Sequence, residues 1–564
     1  MKKMFVLPIA LATAIGLFAC GGSDSPAPLA LVTPDVKASS SAWSFGVMGD
    51  TQWTLATDPA GTNPNGVPVS IINQLNQQFI SKGVKFVIQV GDLSENGNDA
   101  DELVRANAAK ALYDKGIGFF PLRGNHETYA TPANSYAIPA FKTNYPQTQC
   151  QSQTFGATSC NSPTSVSSDL TGLSYSFDYG TAGNNARFVI MDLFATPSKK
   201  VSAVGYDYGY SIGDQQSWIS SRLDKASRGT THAFVFSHQQ PIGENHQDSI
   251  FQGYTDANPD MQNAYFASLQ ANGVKYQMSG HDHVHQRSIV TSPDGKSKVQ
   301  ELITASASSK FYTPKALTDP NWNGQKTRET SLSQELFSPG YYIYTVDGPR
   351  VTVDYYSDAT GGFKSDTTYP GTTGSTLGVT PSLNFVKKET WSYSQNGKEF
   401  LIGGSGSASY TVVQDSFANT SAAILSGSYA NKAADYTSRV LTQSVNTGWA
   451  TGTAGTYSDI LSLWGMATVG SAQTDTYVLS MKYDPSKVNT IQVQGGGIGL
   501  AAPGATGKWV NVVTKNVGGT AKFVSGPWKS GYGLGTYGVD TTTNTAWAVI
   551  NYNGNFVVAP GIGL

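Results

Sequence analysis

Short apolar runs alternate with stretches of helical period along the first two thirds of the chain. Trp43 to Met48 is mostly apolar and stops at Asp50. Ile72, Leu75 and Phe79 then share a helical face, with Ser70 placed to cap it and Gly83 at its end. Val84 to Val90 is a second apolar run, stopping at Asp92. Asp101 to Asp114 predicts a second helix, with Leu103, Ala106 and Leu112 inward and Gly116 as its cap. Ile117 to Leu122 predicts a strand that delivers Gly124, Asn125 and His126. Further strands are predicted over Arg187 to Leu193, Thr231 to Phe236 and Val274 to Met278, and helices over Asp214 to Ala226 and Met261 to Ala271. Glu301 to Ala305, Tyr341 to Val346 and Val351 to Tyr355 read as closing strands. Strand, polar loop and helix in repetition predict an α/β fold, whose ligands collect beyond the C-terminal ends of the strands.

The pattern is interrupted twice. Between Tyr129 and Asn185 the periodicity is lost, which predicts an inserted loop of the kind that selects substrates. From 358 to 382 the chain is rich in Gly, Thr and Asp and reads as a linker. Beyond it, 383–564 contains no His, holds the Trp residues at 391, 449, 464, 509, 528 and 547, and alternates in strand fashion over Tyr477 to Tyr483, Trp509 to Val513 and Ala546 to Tyr552. This predicts an all-β C-terminal domain. A chain of 564 residues exceeds what one core can organise. The expected division is 1–20 leader, 21–41 tether, 42–357 catalytic domain, 358–382 linker and 383–564 β domain.

Composition changes this picture little. The net charge is -2 and charged residues are only 13%, so bulk charge gives no nucleic-acid-binding signature. The N-terminus adds more. Lys2 and Lys3 precede an apolar stretch, Met4 to Ala19, too short for a spanning helix. It ends in Leu17-Phe-Ala-Cys20, which resembles a bacterial lipobox. The resemblance implies cleavage before Cys20, lipidation of that residue and export to a membrane surface; Gly21, not Asp, follows, so retention at the inner membrane is not implied. The membrane partner would then be reached through the lipid anchor alone. Cys150 and Cys160 remain, both in a polar loop, and in an oxidising compartment they are expected to close a small disulfide.

The polar residues at the strand ends carry the chemistry. Gly49-Asp50-Thr51-Gln52, Gly91-Asp92, Gly124-Asn125-His126, Ser237-His238 and Gly280-His281-Asp282-His283 follow one another in order, and all seven His lie between positions 126 and 285. Phosphoester hydrolysis needs charge neutralised on the phosphate and a strong nucleophile at neutral pH, which two cations clamped by carboxylate and imidazole supply. These five blocks resemble the calcineurin-like metallophosphoesterase family, which includes the purple acid phosphatases, over roughly Ser44 to Ser357. The resemblance implies a layered β-sandwich flanked by helices and two divalent metal ions. It implies that Asp50, Gln52 and His283 serve the first metal, that Asp92 bridges, that Asn125, His238 and His281 hold the second, and that His126 protonates the leaving oxygen or binds the phosphate.

Departures from the family pattern bear on metal and substrate. Gln52 stands where the family usually has His; its neutral, harder oxygen favours Mn, Fe or Mg over Zn, with Mn and Fe first. Glu95 stands where purple acid phosphatases have an iron-binding Tyr, so a purple ferric site is not expected. His285 replaces the Tyr of the longer last block. His246 and Arg123 are candidates for substrate contact, Arg123 reading first as a structural ion pair, as does Arg287. Asp282 reads as facing away or orienting a His, and His232 as packing on the sheet. The reading is an exported hydrolase of small phosphoesters; the competing one is a surface adhesion lipoprotein with a vestigial metal site.

Overall fold

The computed structural model describes residues 40–53, 61–128, 138–149, 154–194, 211–251, 253–254, 258–315, 325–348, 350–363 and 380–394, and, in the C-terminal part, 400–401, 410–412, 421–426, 446–450, 452, 455–464, 473–488, 493, 497–504, 508–552 and 554–560. The leader, Cys20 and the tether up to residue 39 lie outside these residues. No helix among them is long and apolar enough to cross a membrane.

In chain order the catalytic part runs β1 (Trp43–Met48), α1 (Val69–Lys82), β2 (Phe86–Gln89), α2 (Asp99–Ala108), α3 (Lys110–Tyr113), β3 (Gly118–Pro121), α4 (Ile138–Asn144), β4 (Thr158–Asn161), β5 (Tyr175–Thr181) and β6 (Asn184–Ile190). It continues through α5 (Ile212–Leu223), β7 (His232–Phe236), the two-residue strands β8 (Asp248–Ser249) and β9 (Gly253–Tyr254), α6 (Pro259–Ala271), β10 (Tyr276–Ser279), β11 (His285–Thr291) and β12 (Lys298–Ile303). β13 (Glu329–Glu335), β14 (Gly340–Asp347), β15 (Arg350–Asp358) and β16 (Phe385–Ser394) complete it.

Two mixed sheets face each other, the first ordered β16-β15-β14-β1-β2-β3 and the second β13-β11-β12-β10-β7-β6-β5-β4. Period-two alternation explains the layering. Phe45, Phe86 and Phe120 of the first sheet meet Phe177, Phe188 and Phe234 of the second in one core. The Phe45 ring lies 5.0 Å from both Phe188 and Phe234, edge-on, and such pairs each add ~0.5–1.5 kcal/mol beyond buried area. The opposite face of the first sheet packs Val87 and Phe119 against Ile71, Leu75 and Phe79 of α1. That of the second packs Val189 and Val235 against Trp218 and Ile219 of α5 and Tyr265 and Phe266 of α6. This is the expected α/β, helix-flanked β-sandwich.

Local expectations are corrected in several places. Ser70 is not the cap of α1; that position is Pro68, and Ser70 N–H donates to Asn63 Oδ1 at 2.9 Å. The second predicted helix is broken at Ala109, and Leu103 is exposed. α2 turns Asp101, Glu102 and Arg105 inward instead, because Arg105 finds Gln89 Oε1 on β2 at 2.8 Å and the Phe119 ring at 4.3 Å. The inserted segment is only partly loop: β4 and β5 extend the second sheet, β5 burying Tyr175 and Phe177 in alternation.

The predicted domain boundary also moves. β16 pairs antiparallel with β15 from Asp358↔Phe385 to Arg350↔Ser394. Residues 385–394, expected beyond a linker in the C-terminal domain, are therefore a strand of the catalytic sheet. Trp391 and Tyr393 of β16 enter the sandwich core, where Trp391 lies under the Arg287 guanidinium at 4.7 Å and Tyr393 beside Tyr276 at 5.5 Å. The remainder is all-β, as expected: a seven-stranded and a five-stranded sheet share a core that includes Leu479, Ile550, Phe556 and Val558.

Candidate metal centre

The site lies where the parallel strands of both sheets end. β1 delivers Asp50 and Gln52, β2 Asp92, β3 Asn125 and His126, β7 His238, and β10 His281 and His283. The glycines of the blocks let these ends converge. A Cβ on Gly124 would stand 2.1 Å from Asp92 Oδ1, and one on Gly280 would stand 2.6 Å from Asp50 Oδ2. Asp92, His281 and His283 take left-handed backbone, with φ of 46°, 72° and 53°. Such conformations cost non-glycine residues on the order of 1–3 kcal/mol each and cluster at functional sites.

All seven predicted ligands come together. Two groups form, Asp92 with His238 and His281, and Asp50 with Asp92 and His283, the ligand atoms of each lying within 4.8 Å of one another. Asp92 belongs to both. Gln52 Nε2 donates to Asp92 Oδ2 at 3.1 Å, and Asn125 Oδ1 lies 2.8 Å from His238 Nε2. The imidazoles are set by what their outer nitrogens touch: His238 Nδ1 donates to Val90 O at 2.9 Å, His283 Nδ1 to Lys310 O at 2.7 Å, and His281 Nε2 faces Asp248 at 3.3 Å. Each leaves its other nitrogen turned inward, His238 Nε2 3.3 Å from Asp92 and His283 Nε2 3.6 Å from Asp50. That is the arrangement in which histidines ligate metal. Asp50 Oδ2 and Gln52 Oε1 are buried without a hydrogen-bond partner. Buried orphan oxygens are costly, and two on ligand side chains fit a site built for cations.

The electrostatics follow from crowding. Burial pushes Asp50 up to about 7, with Asp92 adding to the rise and His238 opposing it. Burial would raise Asp92 too, but His238 and His126 outweigh it and hold its carboxyl low. Burial would lower His238, yet Asp92 and Asp50 drive it up to about 10. Two carboxylates thus hold positive charge on the imidazole between them, the charge a cation would supply.

The remaining predicted residues divide. His126 is buried against Glu95, whose carbonyl O lies 2.5 Å from Nδ1, and its Nε2 is 3.9 Å from Asp92 Oδ2. His246 stands at the centre: its ring is 4.3 Å from that of His281 and 4.6 Å from that of Tyr312, and its Nδ1 is 2.6 Å from Asp282 Oδ1. Burial alone would lower His246; the bond to Asp282 raises it. Asp282 therefore orients His246 rather than a ligand histidine, and also accepts from the backbone N–H groups of Glu244, Asn245 and His246. Arg123 is fully buried and grips Asp192 through Nε at 2.7 Å and Nη2 at 3.0 Å, the structural ion pair read first from the sequence. His232 packs in the sheet with Nε2 on Gly348 O at 2.7 Å. His285 stacks on the core residue Tyr355 at 3.9 Å, with its Nδ1 2.8 Å from the Tyr342 hydroxyl. Cys160 is disulfide-bonded, and its expected partner Cys150 lies outside the described residues.

Other contributors carry no motif of their own. Glu127 ends the G-N-H-E stretch, and its carboxylate accepts from Leu93 N–H at 2.9 Å and Gly124 N–H at 2.7 Å, clamping the Asp92 and Asn125 loops together. Asp248 backs His281 and is itself held by Gln239 Nε2 at 2.5 Å. Asp248→Ala is expected to weaken metal binding by about 10–100-fold, read by metal titration, while His126→Ala leaves it near wild type; equal affinity in the Asp248 variant would show that the carboxylate does not support His281.

Two carboxylates and three imidazoles gathered at the strand ends of a helix-flanked sandwich define a metal-dependent phosphoesterase centre. Residues 44–285 match the family model for calcineurin-like phosphoesterases. Among solved structures, a dimetal phosphatase from Danio rerio is 15% identical with a TM-score of 0.34, the alignment covering 55% of this chain and 95% of that one. The purple acid phosphatase PPD1 from yellow lupin seeds is 14% identical with a TM-score of 0.37, over 58% of this chain and 53% of that one. The structure of PhoD is 13% identical with a TM-score of 0.38, over 66% and 71%. No curated protein matches the chain.

Proposed function

We propose that this protein is an extracytoplasmic, lipid-anchored hydrolase of small phosphoesters that works with two divalent ions, Mn or Fe before Zn. The observation that carries the hydrolase reading is the pair of ligand groups sharing Asp92. Asp50, Gln52 and His283 would hold one ion, Asn125, His238 and His281 the other, with Asp92 common to both. Bound there, the ions would neutralise phosphate charge and lower the pKa of a water nucleophile. Gln52 supports the preference for harder ions, because an amide oxygen replaces an imidazole. The export reading is supported by the apolar leader and its Leu17-to-Cys20 ending.

His126 is assigned to the leaving oxygen. Burial pulls it down to about 4, with Asp92 opposing and Lys310 reinforcing the fall. Negative charge arriving with a bound phosphate favours its protonated form, so the group gains its proton as substrate binds. His126→Ala is expected to lower kcat by about 10²–10⁴-fold with metal content unchanged, since Asn125 is the ligand in that block. The measurement is turnover of a chromogenic phosphomonoester and diester with added Mn, beside metal analysis. Metal and activity lost together would mean the role is wrong; no turnover of either ester by the metal-loaded wild type would sink the hydrolase reading.

A further inference from the structure

The resemblance offers His126 for the phosphate or the leaving oxygen, and the sequence adds Arg123 and Arg287 as cations that could bind phosphate. The structure engages both elsewhere, Arg123 on Asp192 and Arg287 over Trp391. A different cation stands at the centre. Lys310 follows β12 in a Ser-rich segment, and its carbonyl O accepts the Nδ1–H of His283. Its ammonium meets Glu95 Oε1 at 3.2 Å and Oε2 at 3.1 Å. The Glu95 carbonyl O in turn takes Nδ1 of His126. One lysine is thus tied by its backbone to a ligand of one metal group and by its side chain to the support of the candidate acid. Tyr312, two residues on, stands edge-on to His283 at 5.0 Å and to His246, so this segment walls the centre.

The electrostatics agree with the placement. The Lys310 charge is close enough to act on His126, His283 and His246. Burial lifts the Glu95 carboxyl above its ordinary value, with Lys310 opposing.

We propose that Lys310 is the phosphate-binding cation of this centre, released from Glu95 as substrate enters, and that it selects phosphomonoesters over phosphodiesters. The inference rests on the phosphoesterase reading and deepens it. A monoester phosphate carries about -1.5 to -2 charge near pH 7 and three strong acceptor oxygens. A diester has one charge and two unesterified oxygens, so an ammonium donor outside the metal groups adds more to the first. Lysine suits the role as a compact charge with rotatable donors that can leave one acceptor for another.

The test uses the full chain loaded with Mn, as wild type, Lys310→Met, Lys310→Arg and Glu95→Gln. The readouts are kcat/KM for p-nitrophenyl phosphate and bis-p-nitrophenyl phosphate, the Kd of inorganic phosphate by calorimetry, and metal content. Lys310→Met is expected to weaken phosphate binding by about 10–100-fold, the loss of one charge-assisted hydrogen bond. It should lower monoester kcat/KM by a similar factor and diester kcat/KM by less than about 5-fold, with metal content unchanged. Lys310→Arg should recover most of the monoester activity. Glu95→Gln frees the ammonium and should tighten phosphate, which keeps the proposal testable if Lys310→Met fails to fold. Equal losses on both esters, or a phosphate Kd indifferent to both substitutions, would overturn it. If the wild type hydrolyses neither ester yet binds phosphate through Lys310, the hydrolase reading falls and the phosphate site stands.

Discussion

Asp92→Asn is expected to empty both metal groups together and to lower kcat by on the order of 10³-fold or more, because the metals contribute several kcal/mol of charge stabilisation. The reason is geometric. Asp92 is the one residue common to the two ligand groups. It also takes the backbone N–H of His126 on Oδ1 at 3.0 Å and the Gln52 amide on Oδ2 at 3.1 Å; an Asn keeps the first bond through its Oδ1, and its amide can donate to Gln52 once that carboxamide turns its oxygen inward, so the loops should hold. His281→Ala and His283→Ala serve as controls. Each belongs to one group only, and each should release about one metal equivalent while the other is retained. The check is metal per chain by mass spectrometry beside kcat on the better ester. An Asp92→Asn protein that keeps one tight metal would show that the carboxylate does not bridge.

Ending the chain at Ser357 is expected to prevent the catalytic unit from folding, whereas ending it at Ser394 preserves it. The shorter fragment loses the whole of β16, which hydrogen-bonds along nine residues of β15, and with it Trp391 and Tyr393 from the sandwich core. Deleting one buried Trp side chain typically costs ~3–5 kcal/mol, against a net stability of ~5–15 kcal/mol for a domain. It would also uncover the polar edge of β15 and leave the Arg287 guanidinium without the ring beneath it. Thermal unfolding and turnover of fragments 40–357 and 40–394 decide the matter. A cooperative transition in the shorter one at the temperature of the longer would refute the account.

The centre was readable from sequence because its chemistry sits in chain order at strand ends. Each ligand follows an apolar run, and small residues precede it: Gly91 before Asp92, Gly124 before Asn125, Gly280 before His281. What surrounds those ligands was not readable. Lys310 lies in a stretch of Ala and Ser with no period, and the contacts of its carbonyl with His283 and of its ammonium with Glu95 bring it in. Asp248 has no spacing relative to His281; the fold of the intervening strand-helix-strand joins them. α2 was misread because its inward face is charged, and the pairing of Arg105 with Gln89 across elements overrides the apolar pattern. β16 was misread because a Gly/Thr-rich connection looks the same whether it leaves a domain or returns to it.

The order of the first sheet has a consequence for how the chain is made. β1 pairs with β14 from Trp43↔Val346 to Met48↔Tyr341. A ribosome adding about 5–20 residues per second needs about 15–60 s to cover that separation. Through that interval one edge of β1 is unpaired and Phe45 lacks its Tyr344 neighbour, and the last strand of the sheet is later still. Nascent chain in this state presents an open strand edge with aromatic side chains, the template on which chains pair with one another. Such a topology suits a polypeptide kept extended until synthesis is finished.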